Sequence, residues 1–162
     1  MDRSDLLDRF LALTRDRGVR FCVIGGQGVN AYSEPVVSLD LDIVIALSDL
    51  NSIETDLRKE FTVERFPHSV NISAAGSDLR VQIQTDPRYA PFLERATEQT
   101  ILGLTLPVAS AEDVLQGKIW AAVDPARRAS KRQKDLADIA RLVEARPELH
   151  ARVPDAILQR LV

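Results

Sequence analysis

The sequence holds a single cysteine, Cys22. No disulfide can form within the chain, so a disulfide-stapled scaffold is excluded, and this usage fits a reducing cytoplasm. Cys22 lies in the apolar run Phe21-Cys22-Val23-Ile24, where it is expected to serve as a small buried hydrophobe. Histidine is nearly as scarce: His68 and His150 stand apart, and neither has metal-ligand spacing. No Ser-His-Asp or Cys-His logic is visible. No apolar stretch approaches the ~18 residues of a membrane span, so no membrane partner is expected. The opening residues Met1-Asp2-Arg3-Ser4-Asp5 are polar and helical in pattern, unlike a signal peptide. A large excess of one charge is also lacking. A net charge of −3 and a pI near 5.4 exclude a histone-like nucleic-acid coat but leave room for a local basic groove.

What is present is an ordinary globular balance, 45% hydrophobic and 28% charged, in 162 residues, enough for one well-cored domain. Leu6, Leu7, Phe10, Leu11 and Leu13 share a stripe over residues 4–17, predicting an amphipathic helix with Ser4 as cap and Gly18 as stop. Val19 to Ile24 reads as a buried strand ending at Gly25-Gly26-Gln27-Gly28, then a short helix closed by Glu34-Pro35. A second strand is expected from Val37 to Leu47, and a helix over 49–59 capped by Ser48 or Asp49. Phe61–Arg65, Val70–Ala74 and Leu79–Thr85 read as strands. Pro87 is expected to open a helix running to about Thr97, and Gly103 to turn a tight hairpin. Ser110 with Asp113 resembles a helix start, and a long helix is expected over 127–145.

Within the second strand, Leu39, Leu41, Ile43 and Ile45 alternate with Asp40, Asp42, Val44 and Ala46, so both aspartates share one face. Two carboxylates at i and i+2 repel when ionised, and the repulsion is offset by a cation, by solvent or by a raised pKa. A hard divalent ion does so with oxygen ligands, and Mg²⁺ commonly joins one or two carboxylates to substrate phosphates. Alone, the pair also fits a solvated strand face. The Gly25-Gly26 turn adds a place where backbone can approach phosphate oxygens at a helix start. It is not a Gly-x-Gly-x-x-Gly fingerprint, and no Walker-type motif exists, since Gly117-Lys118 is followed by Ile119.

Ile24-Gly25-Gly26, thirteen residues, then Asp40-Leu41-Asp42-Ile43, with Ser38 two before the first aspartate, resembles the DNA polymerase beta-like nucleotidyltransferase superfamily. The stretch is most similar to its AbiEii/AbiGii toxin-type branch. Gln116-Gly117-Lys118-Ile119-Trp120-Ala121 and Lys131-Arg132-Gln133-Lys134-Asp135-Leu136-Ala137-Asp138 resemble the helical part of that branch in the same order. The resemblance implies an α/β (α+β) fold, a mixed sheet flanked by helices with a helical C-terminal part. The expected division is a core over 1–109 and helices over 110–162 packed on it. It implies Mg²⁺ (or Mn²⁺) on Asp40 and Asp42, with triphosphate on the Gly25 and Gly26 amides and Ser38. Lys118 would neutralise phosphate charge, and Asp135 would orient that lysine or meet the acceptor. The reaction implied is transfer of NMP from a nucleoside triphosphate to an RNA, such as tRNA, a protein or a small molecule. A toxin–antitoxin role with a cognate antitoxin-type partner is also implied.

The branch usually carries a third carboxylate on a later strand. Here the inward position is Gln82, whose carbonyl oxygen can ligate metal but cannot act as a general base. Asp86, two residues beyond Gln84 on the same parity, is a candidate substitute that reaches in only from the strand end. The arginine often found four residues before the first aspartate is Val36. A catalytically impaired binding or regulatory module is therefore the alternative expectation. Arg127, Arg128, Lys131, Arg132 and Lys134 form a basic run that could meet RNA or a triphosphate tail, or stand as a solvated helix face.

Overall fold

A computed structural model of the chain describes residues 3–161, and side chains from Asp5 onward. The first helix, α1, spans Arg3–Asp16 and buries Leu6, Leu7 and Phe10. It stops where Gly18 takes a left-handed φ of +64°. The expected Ser4 cap lies outside the described side chains.

Seven strands form one mixed sheet: β1 (Cys22–Ile24), β2 (Asp40–Val44), β3 (Thr62–Phe66), β4 (Ser69–Ser73), β5 (Arg80–Gln84), β6 (Thr97–Ile101) and β7 (Leu104–Val108). Their spatial order is β3-β4-β5-β2-β1-β7-β6. β2 runs parallel to β5 and β1 parallel to β7, while the remaining pairs are antiparallel. The helices beside them are α2 (Gly25–Tyr32), α3 (Leu47–Glu60), α4 (Phe92–Arg95), α5 (Ala111–Val123), α6 (Ala129–Ala145) and α7 (Asp155–Leu158). The expected mixed α/β architecture with a helical C-terminal part is the one observed. No described helix is long and apolar enough to cross a membrane.

Strand alternation gives the sheet two unlike faces. On one, Leu41, Ile43, Val70, Ile72, Val81 and Ile83 join Leu6 and Phe10 of α1 and Leu50, Ile53 and Leu57 of α3 in a continuous core. Each such side chain contributes roughly 1.5–3 kcal/mol on burial. On the other, Cys22, Ile24 and Val44 pack with Val29, Val114, Leu115, Ile119, Ile139 and Leu142 of α2, α5 and α6. That second layer stops at β2. Beyond it the same face shows Gln82, Gln84, Ser69 and Asn71, all half-buried. The uncovered polar half beside a covered apolar half is what makes a cleft.

Several elements differ from their sequence-based expectations. β2 begins at Asp40, not Val37, because the segment before it is held by a side chain: Asn30 Nδ2 donates to the Val36 carbonyl (2.8 Å) and Asn30 Oδ1 accepts from the Val36 N–H (3.0 Å). α3 starts at Leu47 without a side-chain cap, which leaves Ser48 and Asp49 inside its first turn. The helix expected from Pro87 to Thr97 is a 3₁₀ turn, Pro87–Tyr89, then the short α4 after Pro91, then the strand β6. Asp86 caps the 3₁₀ turn, its Oδ1 accepting from the Arg88 N–H at 3.0 Å. α6 begins at Ala129 rather than 127. The Gly103 hairpin is as expected: Leu102 and Gly103 both take positive φ, 54° and 76°, as a type I′ turn requires. Ser110 caps α5 by accepting from the Asp113 N–H at 3.1 Å.

Candidate functional site

Asp42 lies at the centre of three strands. It pairs with Ile24 of β1 on one side and with Gln82 of β5 on the other, and Asp40 pairs with Arg80. The two aspartates share one face and line one cleft, as period two demands. Asp40 Oδ1 accepts from Arg80, with Nη2 at 3.0 Å and Nε at 3.1 Å. Asp42 has no such relief: its Oδ1 is buried without a hydrogen-bond partner among the described residues. Burial pushes its pKa up to about 6, a rise that Lys118 opposes and Asp40 reinforces.

Gly25 explains how Asp42 fits. It takes a φ of +66°, and a Cβ there would lie 2.2 Å from Asp42 Oδ2 and 2.9 Å from Asp42 Cβ. Only a residue without a side chain leaves room for the carboxylate. Gly25 and Gly26 open α2, whose first turn has no side-chain cap, so its amide donors are free to meet an anion. Ser38 lines the cleft near Gly26, its hydroxyl 4.0 Å from where a Gly26 Cβ would stand. The Ser38 carbonyl accepts from the buried Gln27 side chain at 3.2 Å, tying that loop to α2.

The opposite wall comes from α5 and α6. Lys118 is only 8% exposed, and its Nζ lies 3.1 Å from Asp135 Oδ1 and 2.9 Å from Asp138 Oδ2. Burial works to lower the Lys118 pKa, but Asp138 and Asp135 outweigh it and hold the ammonium above its ordinary value. Arg127 grips Asp135 with both carboxylate oxygens engaged, at 2.9 and 3.1 Å. Arg141 donates to Asp138 at 2.8 Å and to the Glu34 carbonyl at 2.8 Å, linking α6 to the loop that leads to Ser38. Lys118 and Asp135 are thus a buried pair.

The cleft between these walls encloses about 410 Å³ and brings together Gly25, Gly26, Ser38, Asp40, Asp42, Gln82, Lys118 and Asp135. The basic run divides. Arg127, Lys131 and Lys134 line the cleft, whereas Arg132 donates to the Ala122, Asp124 and Arg127 carbonyls and Arg128 is exposed outside it. Asp86 does not complete the carboxylate set, because its side chain is occupied by the N–H and guanidinium of Arg88. Position 82 therefore presents an amide where a third carboxylate was sought.

The donor set fits a hard divalent cation. Two carboxylates share a face, one oxygen has no partner, and the Gln82 amide is the cross-strand neighbour. No group of three or more His, Cys, Asp or Glu side chains with ligand geometry exists among the described residues, so substrate phosphates would have to supply further oxygens. Asp138 closes the Lys134-Asp135-Leu136-Ala137-Asp138 stretch of the family resemblance, but the sequence reading assigns it no role of its own. Asn71, Gln84 and Ser69 were also missed. Their place in the cleft depends on strand pairing, for which no local signal exists.

A family model described as the nucleotidyl transferase AbiEii toxin of type IV toxin–antitoxin systems matches residues 31–162. The chain belongs to that family. The matched region takes in Asp40, Asp42, Lys118 and the Asp135–Asp138 pair of this AbiEii-family chain, and begins after the glycine turn. No curated protein matches it. Solved structures share its fold at low identity. One is ANT(2″)-Ia in complex with adenylyl-2″-tobramycin, with 15% identity over 98% of each chain and a TM-score of 0.68. Another is the lincosamide antibiotic adenylyltransferase LnuA bound to lincomycin, with 14% identity over 85% of this chain and 96% of that one and a TM-score of 0.57. A third is a nucleotidyltransferase-like protein from Paracoccidioides brasiliensis, with 16% identity over 97% and 98% of the two chains and a TM-score of 0.54.

Proposed function

We propose that this AbiEii-family chain transfers a nucleoside monophosphate from a nucleoside triphosphate to an acceptor hydroxyl, with Mg²⁺ or Mn²⁺ on Asp40 and Asp42. The acceptor is an RNA such as tRNA, a protein or a small molecule, and an antitoxin-type partner would restrain the activity in a cytoplasmic setting. The observation that carries this reading is the partnerless Asp42 oxygen, pressed against Gly25 in the same cleft as Lys118. When bound, the divalent ion neutralises phosphate charge and polarises the α-phosphoryl group.

The protein's own residues then have distinct tasks. The Gly25 and Gly26 amides and Ser38 hold phosphate oxygens. Lys118, kept charged by Asp135 and Asp138, balances charge on the departing pyrophosphate. The acceptor oxygen bonds to the α-phosphorus, the bond from that phosphorus to the bridging oxygen breaks, and pyrophosphate leaves with the electron pair. The hydroxyl proton passes to water, since Gln82 cannot take it.

Gln82 also motivates a second reading, a nucleotidyltransferase fold that binds nucleotide or partner without turnover. Calorimetry of magnesium–ATP binding to the wild type and to Asp40→Asn/Asp42→Asn tests the site. Binding by the wild type and its loss in the variant are expected. Absence of binding for all four common NTPs would sink the site. Label transfer from α-labelled NTP to cell extract fractions separates turnover from binding, and binding without transfer favours the second reading.

A further inference from the structure

The cleft has two chemically unlike walls. The helical wall is cationic: Lys118, Arg127, Lys131 and Lys134 all line it. The sheet wall is uncharged beyond Asp40 and Asp42. There Gln82, Gln84, Asn71 and Ser69 line the cleft together with Phe66, a residue 47% exposed. Cross-strand register sets them side by side. Asn71 faces Gln82, which faces Asp42; Ser69 faces both Gln84 and Phe66. Two rows thus run outward across β5, β4 and β3, with neighbouring strands ~4.8 Å apart. Asp42, Gln82 and Asn71 lead to the exposed Glu64, which does not line the cleft, and Gln84 and Ser69 lead to Phe66. They are the polar half-face that α5 and α6 leave bare.

The amides are not all free to turn. Gln84 Oε1 accepts from the Asp86 N–H at 3.1 Å, which leaves the Gln84 amide nitrogen as a donor toward the cleft. Glu64, which faces Asn71 on the same side of the sheet, does not line the cleft, and Arg80 is engaged with Asp40. Along the cleft lining itself, a phosphate would find no cation on this wall, and a polycation would find no carboxylate past the aspartate pair. An amide both donates and accepts, and so does a hydroxyl. An exposed aromatic ring beside amides suits the apolar C–H face of a sugar whose rim carries hydroxyls.

We propose that the sheet wall is the acceptor subsite and that it takes an uncharged, hydroxyl-bearing sugar ring, stacked on Phe66 and hydrogen-bonded by Asn71, Gln82 and Gln84. This rests on the nucleotidyl-transfer reading of Asp40 and Asp42. The ring lies beside the α-phosphorus, so one of its hydroxyl oxygens forms the new phosphorus–oxygen bond. Pyrophosphate leaves with the electron pair of the broken bridging bond, and the hydroxyl proton goes to water. A free saccharide and the ribose of a nucleoside are the two sources of such a ring, since both offer the same hydroxyl rim.

The test follows the side-chain amide signals of Asn71, Gln82 and Gln84 by nitrogen–proton NMR, each assigned by substitution. The protein is loaded with Mg²⁺ and a non-hydrolysable ATP analogue, and D-glucose, cytidine, D-glucosamine and spermidine are added separately at millimolar concentrations. The expected result is movement of the three amide signals with glucose or cytidine, whichever source is right, and little movement with spermidine. Phe66→Ala weakens that binding about tenfold, or ~1.4 kcal/mol, while ATP-analogue affinity stays unchanged. Asn71→Asp shifts preference from glucose toward glucosamine, a reversal that a purely structural role would not produce. Movement with spermidine alone, or with neither neutral ring, overturns the proposal. The Gly25 and Gly26 backbone amides report ATP-analogue binding independently, so failure of the nucleotide site is seen apart from failure of the acceptor wall.

Discussion

At Asp42, burial and the neighbouring Asp40 carboxylate push in one direction and Lys118 in the other, and burial prevails to set a pKa of about 6 against an ordinary 3.8. Between those values the native state binds more protons than the unfolded chain. Stability from this group is therefore complete below the unfolded value and is lost as pH rises through about 6, by roughly 1–3 kcal/mol. Asp42→Asn should raise the Tm of the metal-free protein near pH 8 and leave it almost unchanged near pH 4, as thermal scans at both will show. In the same wild-type protein, added Mg²⁺ should raise Tm more at the higher pH, where the carboxylate is already ionised. Gln82 invites the complementary change. Gln82→Glu places a carboxylate beside Asp42 in register, and a general base is worth about 10²-fold or more in rate. Label transfer should rise in that variant. An unchanged rate with intact nucleotide binding would show that proton removal is not what limits this chain. Gln82 and the aspartate pair were both legible in sequence, because strand alternation is a local rule. The packing of Asp42 against Gly25 was not, since it joins residues from two strands through a backbone conformation.

The elements around the cleft show how far local signals reach. Residues 127–134 read as one basic stripe, yet three guanidinium and ammonium groups line the cleft while Arg132 reaches the end of the preceding helix. Its Nε donates to the Ala122 carbonyl at 3.0 Å and its Nη2 to those of Asp124 and Arg127 at 2.7 and 3.2 Å. These carbonyls lie at and just beyond the C-terminus of α5, where intrahelical donors run out. Arg132→Ala should cost about 1–3 kcal/mol in urea unfolding, and Arg132→Lys should recover only part, because an ammonium cannot span three acceptors as a planar fork does. Nucleotide affinity should change far less than for Lys134→Ala. Pro87 misled in the other direction: it is a good helix opener, but Pro91 follows before a second turn can complete, and the chain then enters β6. A proline pair so close together marks a corner more than a helix.

For the molecule as a whole, the decisive contrast is between a sheet face sealed by α1 and α3 and one that α2, α5 and α6 seal only as far as β2. Charge follows the same division. The chain is slightly acidic at −3, yet its cleft carries four cations on one wall, two of them, Lys118 and Arg127, engaged with the buried Asp135. Screening distinguishes them: the Debye length falls from about 10 Å at 0.1 M salt to about 3 Å at 1 M, which weakens exposed Lys131 and Lys134 far more than Lys118. Magnesium–ATP affinity should therefore fall several-fold over that range while Tm moves little, a pair of measurements that separates the steering charges from the structural ones. The family resemblance made the mixed sheet and helical tail legible before any coordinates. Which half of the sheet stays bare was not, because it follows from a strand order, β3-β4-β5-β2-β1-β7-β6, that no single segment encodes.

The pairing of Gln82 with Asp42 also has a consequence in heredity. In the genetic code the glutamine and glutamate codons differ in their first base alone. A point mutation thus separates the present amide from a carboxylate at the same place in the sheet, with side chains of nearly equal size. The position is half-buried, so on the proposed reading a lineage is one base change, in either direction, from a form with a general base beside Asp42.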